Sequence, residues 1–148
     1  MKLVLQRVKK SSVTIDNKIY SEINKGIMIL VGIEKGDTKS EAQWLADKVL
    51  KLRIFEDEND KMNLSILDVK GEILAVSQFT LAGNCKKGTR PSFDNAEQPK
   101  IAKKLYEDFC KILSQTVPVK TGVFGAMMDV SLINDGPVTF ILEKKSVD

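Results

Sequence analysis

The sequence predicts an α+β domain in which an antiparallel, barrel-like curled sheet carries two main helices packed outside it. Three observations lead there. Stretches rich in Val, Leu and Ile gather towards both ends of the chain, and two amphipathic helical patterns lie between them. Nowhere does the order alternate strand, helix, strand as a wound parallel sheet requires. With 148 residues, a single domain spanning 1–148 with a real core is expected.

Residues 2–9 and 11–16 read as strands, and Asp16-Asn17 marks a turn before a short strand at 18–23. "GIMILVGI" at 26–33 is a continuous apolar run bounded by glycine, the pattern of a strand buried on both faces. Thr38 and Glu41 fit a capping box, so a helix should begin at about residue 39. Ala42, Leu45, Ala46, Val49 and Leu52 then share one face, and Trp44 falls nearly opposite, over a neighbouring loop or against another subunit. The polar segment 56–63 reads as a loop, and 64–68 with 72–79 as a hairpin around "VKGE".

The loop 82–94, "AGNCKKGTRPSFD", holds two glycines, one proline and three cations. A second helix follows over 98–114, with Pro99 tolerated in its first turn. Ile101, Leu105, Phe109 and Ile112 are expected on its buried side, and Lys100, Lys103, Lys104 and Lys111 in water. Strands at 119–123, 126–134 and 137–143 complete the sheet, whose edges need covering, so a dimer is expected.

Composition removes several chemistries. The chain contains no histidine, so Ser-His-Asp triads, Cys-His pairs and imidazole metal ligands are all absent. Two cysteines, Cys85 and Cys110, cannot build a four-ligand structural zinc site and are too few to staple a secreted scaffold. They are expected to be reduced, and no metal or cofactor is expected. No apolar run approaches the roughly 18–20 residues of a membrane span. The start "MKLVLQRVKK" lacks a signal-peptide pattern, so a cytoplasmic address is expected. A net charge of +3 permits contact with nucleic acid without arguing for it. Any catalysis must use carboxylates, hydroxyls, lysines, backbone dipoles or a group carried by the substrate.

Two segments stand out. One runs from Ser77 to Phe93, "SQFTLAGNCKKGTRPSF", a strand end entering a basic loop; the other is "NDGPVT" at 134–139. Neither is a P-loop, a dinucleotide fingerprint or a nucleophile elbow, and by local physics each is an ordinary turn. Together, however, "SQFTL" at 77–81, "KGTRPSF" at 87–93 and "NDGPVT" resemble the defining motifs of the D-aminoacyl-tRNA deacylases. "QRV" at 6–8, "LRIFED" at 52–57 and the chain length are similar too, so the resemblance covers essentially the whole sequence.

The resemblance implies a homodimeric editing enzyme with its active site at the subunit interface. Such an enzyme hydrolyses the ester between a D-amino acid and the terminal ribose of tRNA, and also glycine misloaded on alanine tRNA. It further implies a cis Gly136-Pro137 bond inserted from one subunit into the active site of the other. An X-Pro bond reaches cis at a cost of only about 0.5–1 kcal/mol. Glycine leaves no Cβ to crowd a ligand, and two carbonyls turned the same way would accept from an α-ammonium group. Rigid backbone beside the substrate Cα would then leave no room for an L side chain, so handedness is read by clash with the wrong enantiomer.

For catalysis, Ser77, Gln78 and Phe79 stand at a strand end whose backbone N–H groups could face a developing oxyanion. Thr80 is the side-chain nucleophile candidate, but no base can be named for it. The resemblance implies instead that the 2′-hydroxyl of the tRNA assists hydrolysis. Arg7 resembles a family arginine that braces the Gly-Pro loop; read alone, it is equally a solvated strand arginine. Lys86, Lys87 and Arg90 could meet tRNA phosphates, and Phe93 could pack beneath the terminal adenosine or fill the core. Met127 and Met128 read as core or pocket lining. Two rival readings stand beside this one: a non-catalytic module that binds an RNA end, and an esterase using Thr80 or Ser77.

Overall fold

A computed structural model describes residues 1–146. Strand β1 (Lys2–Ile15) is the hub, and it is one strand where two were predicted. Asp16 and Asn17 both take positive φ, 51° and 64°, which twists a two-residue turn to match its strands and folds β2 (Lys18–Ile23) back along β1. Strand β3 (Gly26–Gly32) continues in the same direction, pairing from Val8↔Gly26 to Lys2↔Gly32.

Helix α1 (Lys39–Lys51) starts from the expected capping box, in which Thr38 accepts from Ser40 N and Glu41 accepts from Thr38 N. Two short strands, β4 (Phe55–Glu56) and β5 (Met62–Leu64), pair with each other. Strand β6 (Glu72–Ser77), a 3-10 helix at Phe79–Ala82, helix α2 (Pro99–Ser114), β7 (Val119–Thr121) and β8 (Asp129–Glu143) follow.

The strands run β2-β1-β3-β6-β7 across the sheet, with β8 on the other edge of β1. The sheet curls far enough that the Ser21 hydroxyl of β2 donates to Thr121 O of β7 at 2.7 Å, giving the barrel-like form. It differs from the expected all-antiparallel arrangement, because β3-β6 and β6-β7 pair in parallel. The cause is that each connection into those pairs passes through a helix, which returns the chain to the same end of the sheet. The "VKGE" hairpin is likewise absent. Lys70 and Gly71 turn the chain into β6, which pairs with β3 rather than with the segment before it.

Two cores result. Outside the curl, Leu3, Leu5, Ile27, Ile29 and Val31 pack against Leu45 and Val49 of α1 and Leu105, Phe109 and Leu113 of α2. Inside it, Val8, Val13, Met28, Leu74 and Val76 meet Met128, Val130 and Leu132. Strand β3 is therefore buried on both faces, as its unbroken apolar run requires. Ile101 departs from expectation: it is 46% exposed, and Ala102 and Leu105 take the buried positions of the first turns. The ammonium groups of Lys48 and Lys144 stand over the Trp44 ring, 5.2 and 5.1 Å from its centroid.

Between α2 and β6, the buried Tyr106 hydroxyl donates to Ala75 O at 2.6 Å. Tyr106→Phe is expected to cost about 1–2 kcal/mol by leaving that carbonyl short of a donor. The measurement is a lowered urea midpoint with an unchanged m-value.

Candidate active site

Strand β8 explains how a chain places Gly-Pro inside a strand. Its pairing with β1 is interrupted between Gln6↔Thr139 and Val8↔Asn134, so that Asp135 to Val138 stand opposite Arg7 alone. The two predicted strands are thus one strand with a wide bulge, tolerable because β8 sits at an edge where a missing donor breaks no ladder. The Gly136-Pro137 peptide bond is cis, and Gly136 has φ +143°. Both residues are exposed. The bulge is closed by Asn134, whose side-chain Oδ1 accepts from Val138 N at 2.7 Å while Nδ2 donates to Thr139 Oγ1 at 3.0 Å.

Arg7 lies beneath this corner and is only 4% exposed, which removes the solvated-arginine reading. Its Nε donates to Asp135 O at 3.0 Å, and its Nη1 donates to Ile54 O at 2.8 Å. Carboxylates of Glu56 and Asp135 stand 3.4 and 3.6 Å from Nη2 and Nε. A buried guanidinium left without partners would be an uncompensated charge, and here two backbone carbonyls and two carboxylates share that compensation.

The second motif builds a separate surface. Ser77 ends β6, and Gln78 N donates to Val31 O at 2.8 Å, seating the 3-10 helix on the last residues of β3. Gln78 Nε2 donates to Thr80 Oγ1 at 2.5 Å. Phe79 is 60% exposed, and its ring lies 5.2 Å from that of Phe93, centroid to centroid, at 60°. Phe93 is therefore part of an exposed aromatic pair rather than of either core. Paired backbone bonds between Asn84 and Ser92 pinch off residues 85–91, so Lys86, Lys87 and Arg90 ride on an exposed projection. Its base is held by Lys35 N donating to Asn95 O and by the Asn95 amide bonded to the buried Glu34 carboxylate.

The fold unites Ser77–Thr80 with Phe93, and Arg7 with Gly136–Pro137, but it does not unite the two groups. The 3-10 helix stands beside Lys2, whose Nζ reaches Leu81 O at 3.5 Å, while the Gly-Pro corner stands opposite Arg7. From Lys2 to Arg7 is five residue steps along β1, about 16 Å at strand rise. Met127 is 91% exposed, and Met128 packs into the inner core. Sequence reasoning missed Ile54, Glu56 and Asn134. "LRIFED" held the first two, and an Asn two places before Gly in a turn is a side-chain cap signal.

Among the described residues no group of His, Cys, Asp and Glu could hold a metal ion. None of their helices is long and apolar enough to cross a membrane. Burial pushes the Cys110 thiol up to about 12, so it stays protonated and unreactive. An open groove of about 590 Å³ lined by Asp37, Lys100, Ile101 and Lys104 runs along α2 and includes none of the motif residues.

The chain matches the family model of D-Tyr-tRNA(Tyr) deacylase over residues 4–143. A D-aminoacyl-tRNA deacylase of Thermodesulfovibrio yellowstonii is 61% identical over 143 residues, covering 96% of this chain and 98% of that protein. One from Persephonella marina is 58% identical over 144 residues, covering 97% and 98%. Among solved structures, a c-Myc DNA unwinding element binding protein superposes with a TM-score of 0.93 at 43% identity, covering 99% of this chain and 100% of that one. A probable eukaryotic D-amino acid tRNA deacylase superposes at 0.81 with 18% identity, covering 95% and 97%, a likeness of fold.

Proposed function

This chain belongs to the D-Tyr-tRNA(Tyr) deacylase family, and from that premise we propose that it hydrolyses the ester joining a D-amino acid to the terminal ribose of tRNA. Glycine carried by alanine tRNA is a second substrate in this reading, and the reaction takes place in the cytoplasm, where tRNA is charged. The observation that carries the reading is the exposed corner at Gly136–Pro137, with no Cβ at Gly136, anchored from below by a buried arginine.

The β1 residues beside the 3-10 helix and the corner, Lys2 and Arg7, lie about 16 Å apart within one chain, too far for the two motifs to grip one aminoacyl group. A homodimer resolves this by setting the corner of one subunit against Ser77–Thr80 of the other. Exposed Ile133, Phe140 and Ile141 on β8 supply apolar surface for such a contact.

Within the composite site, water adds to the ester carbonyl and the bond to the ribose oxygen breaks. The water oxygen remains on the amino acid carboxylate, and one of its protons ends on the ribose hydroxyl. The first N–H groups of a helix have no acceptor within it. Those of Phe79 and Thr80 are therefore the donors for the oxyanion, each worth about 2.7–4 kcal/mol when preorganised. With no histidine in the chain, the adjacent 2′-hydroxyl of the tRNA serves the proton transfer. The aromatic pair Phe79–Phe93 offers a stacking face for the terminal adenine, and Lys86, Lys87 and Arg90 meet phosphates.

The Thr80 hydroxyl accepts from the Gln78 amide, which is not a base. Thr80→Ala is accordingly expected to keep most of the activity. A loss of about 10³-fold in a folded protein would assign it the nucleophile role instead. The whole reading is tested by the purified protein hydrolysing D- and L-tyrosyl-tRNA side by side. Selective turnover of the D form is expected; equal rates, or binding without hydrolysis, would overturn it.

A further inference from the structure

We propose that Glu56 is a positioning residue for the Gly136–Pro137 corner, acting through the Arg7 guanidinium; the proposal rests on the deacylase reading for its effect on selectivity. Three segments converge on that guanidinium. Nε is turned to Asp135 O, Nη1 to Ile54 O, and Nη2 to Glu56 Oε1 at 3.4 Å. Nη2 is also the guanidinium nitrogen that faces Gly136, 3.3 Å from where a Cβ would project. The group that holds Nη2 therefore decides how closely the guanidinium plane abuts the corner. Planar, directional guanidinium bonding makes that plane responsive to each of its acceptors.

Glu56 is itself held by a small braced arm. It pairs with Met62 across β4 and β5, and the turn between them is closed by Asp57. Asp57 Oδ1 accepts from Asn59 N at 2.8 Å and Lys61 N at 3.1 Å, and Oδ2 accepts from Asn63 Nδ2 at 2.9 Å. Those bonds, Asn63 foremost, hold the Asp57 carboxyl below the usual carboxylate range, so the arm stays braced at neutral pH. Glu56 is 47% exposed, and half-exposed ion pairs add little to stability. Its place beside Arg7 is better explained as geometry than as cohesion.

The test uses full-length Glu56→Ala and Glu56→Gln. Glu56→Ala is expected to lose about tenfold in kcat/KM on D-tyrosyl-tRNA, with a narrower D/L ratio, as a small misplacement at a remote anchor does. Glu56→Gln keeps an acceptor for Nη2 and is expected to restore most of both. Amide hydrogen exchange at Asp135, Gly136 and Val138 should quicken about tenfold in Glu56→Ala only. The thermal midpoint should move by about 2 °C or less. Wild-type exchange and an unchanged D/L ratio in Glu56→Ala would overturn the proposal, as would losses that simply follow unfolding. An inactive wild-type protein would instead sink the deacylase reading, and the exchange measurement would still decide whether Glu56 positions the corner.

Discussion

Gly136→Ala is expected to lower hydrolysis of D-aminoacyl-tRNA by about 10²-fold or more in a protein that still folds. Gly136 sits at φ +143°, a region that L side chains rarely occupy, so any Cβ there strains the backbone by about 1–3 kcal/mol. The new carbon would also stand 2.7 Å from Val138 Cγ2, 2.9 Å from Val138 N and 3.3 Å from Arg7 Nη2. Neither residue can withdraw freely. Val138 is buried with its N–H held by Asn134, and Arg7 is fixed at three acceptors. The corner itself must move, and it is a bulge on an edge strand, so the displacement stays local. The check is kcat/KM on D-tyrosyl-tRNA beside a thermal melt. Wild-type turnover would show that the corner does not read the substrate, and loss that tracks the melting would show only a folding defect.

How far sequence and structure agree depends on the range of the interaction. Strand β3 was legible because seven nearly unbroken apolar residues admit no solvent face. The start of α1 was legible because Thr38 and Glu41 satisfy orphan N–H groups within four residues of one another. The partner of β6 was not, since "EILAVS" announces burial but carries no mark of the direction of its neighbour. Ile101 was misplaced because the buried face of α2 is defined by what the helix packs against, and Ala102 and Leu105 take it in the first turns. The same division runs through the candidate site. Ser77–Thr80 and Gly136–Pro137 were visible as motifs, each contiguous in the chain. The resemblance named Arg7 as the brace of the corner, but its second hold was not legible, because Arg7 binds the backbone carbonyl of Ile54, 47 residues away, and a carbonyl has no residue type to recognise.

The separation of the two motifs leads to the second large effect, recovery of activity from two damaged chains. Gly136→Ala spoils the corner, while Gly32→Ala spoils the opposite surface. A Cβ at Gly32 would meet Leu81 Cβ at 2.7 Å and Gln78 O at 3.3 Å, pushing the 3-10 helix off β3. If each site joins the corner of one subunit to the 3-10 helix of the other, every mixed dimer holds one site with both parts intact and one with both damaged. Random pairing makes half of the dimers mixed, so co-refolded chains should show about a quarter of the wild-type rate where each variant alone shows almost none. A site built within single chains would gain nothing from mixing, since each chain would keep its own defect. The assay therefore separates the two arrangements by the presence or absence of turnover. It draws its force from the roughly 16 Å of β1 that lies between Lys2 and Arg7. No side-chain rotation spans that gap, whereas a second copy of the chain would.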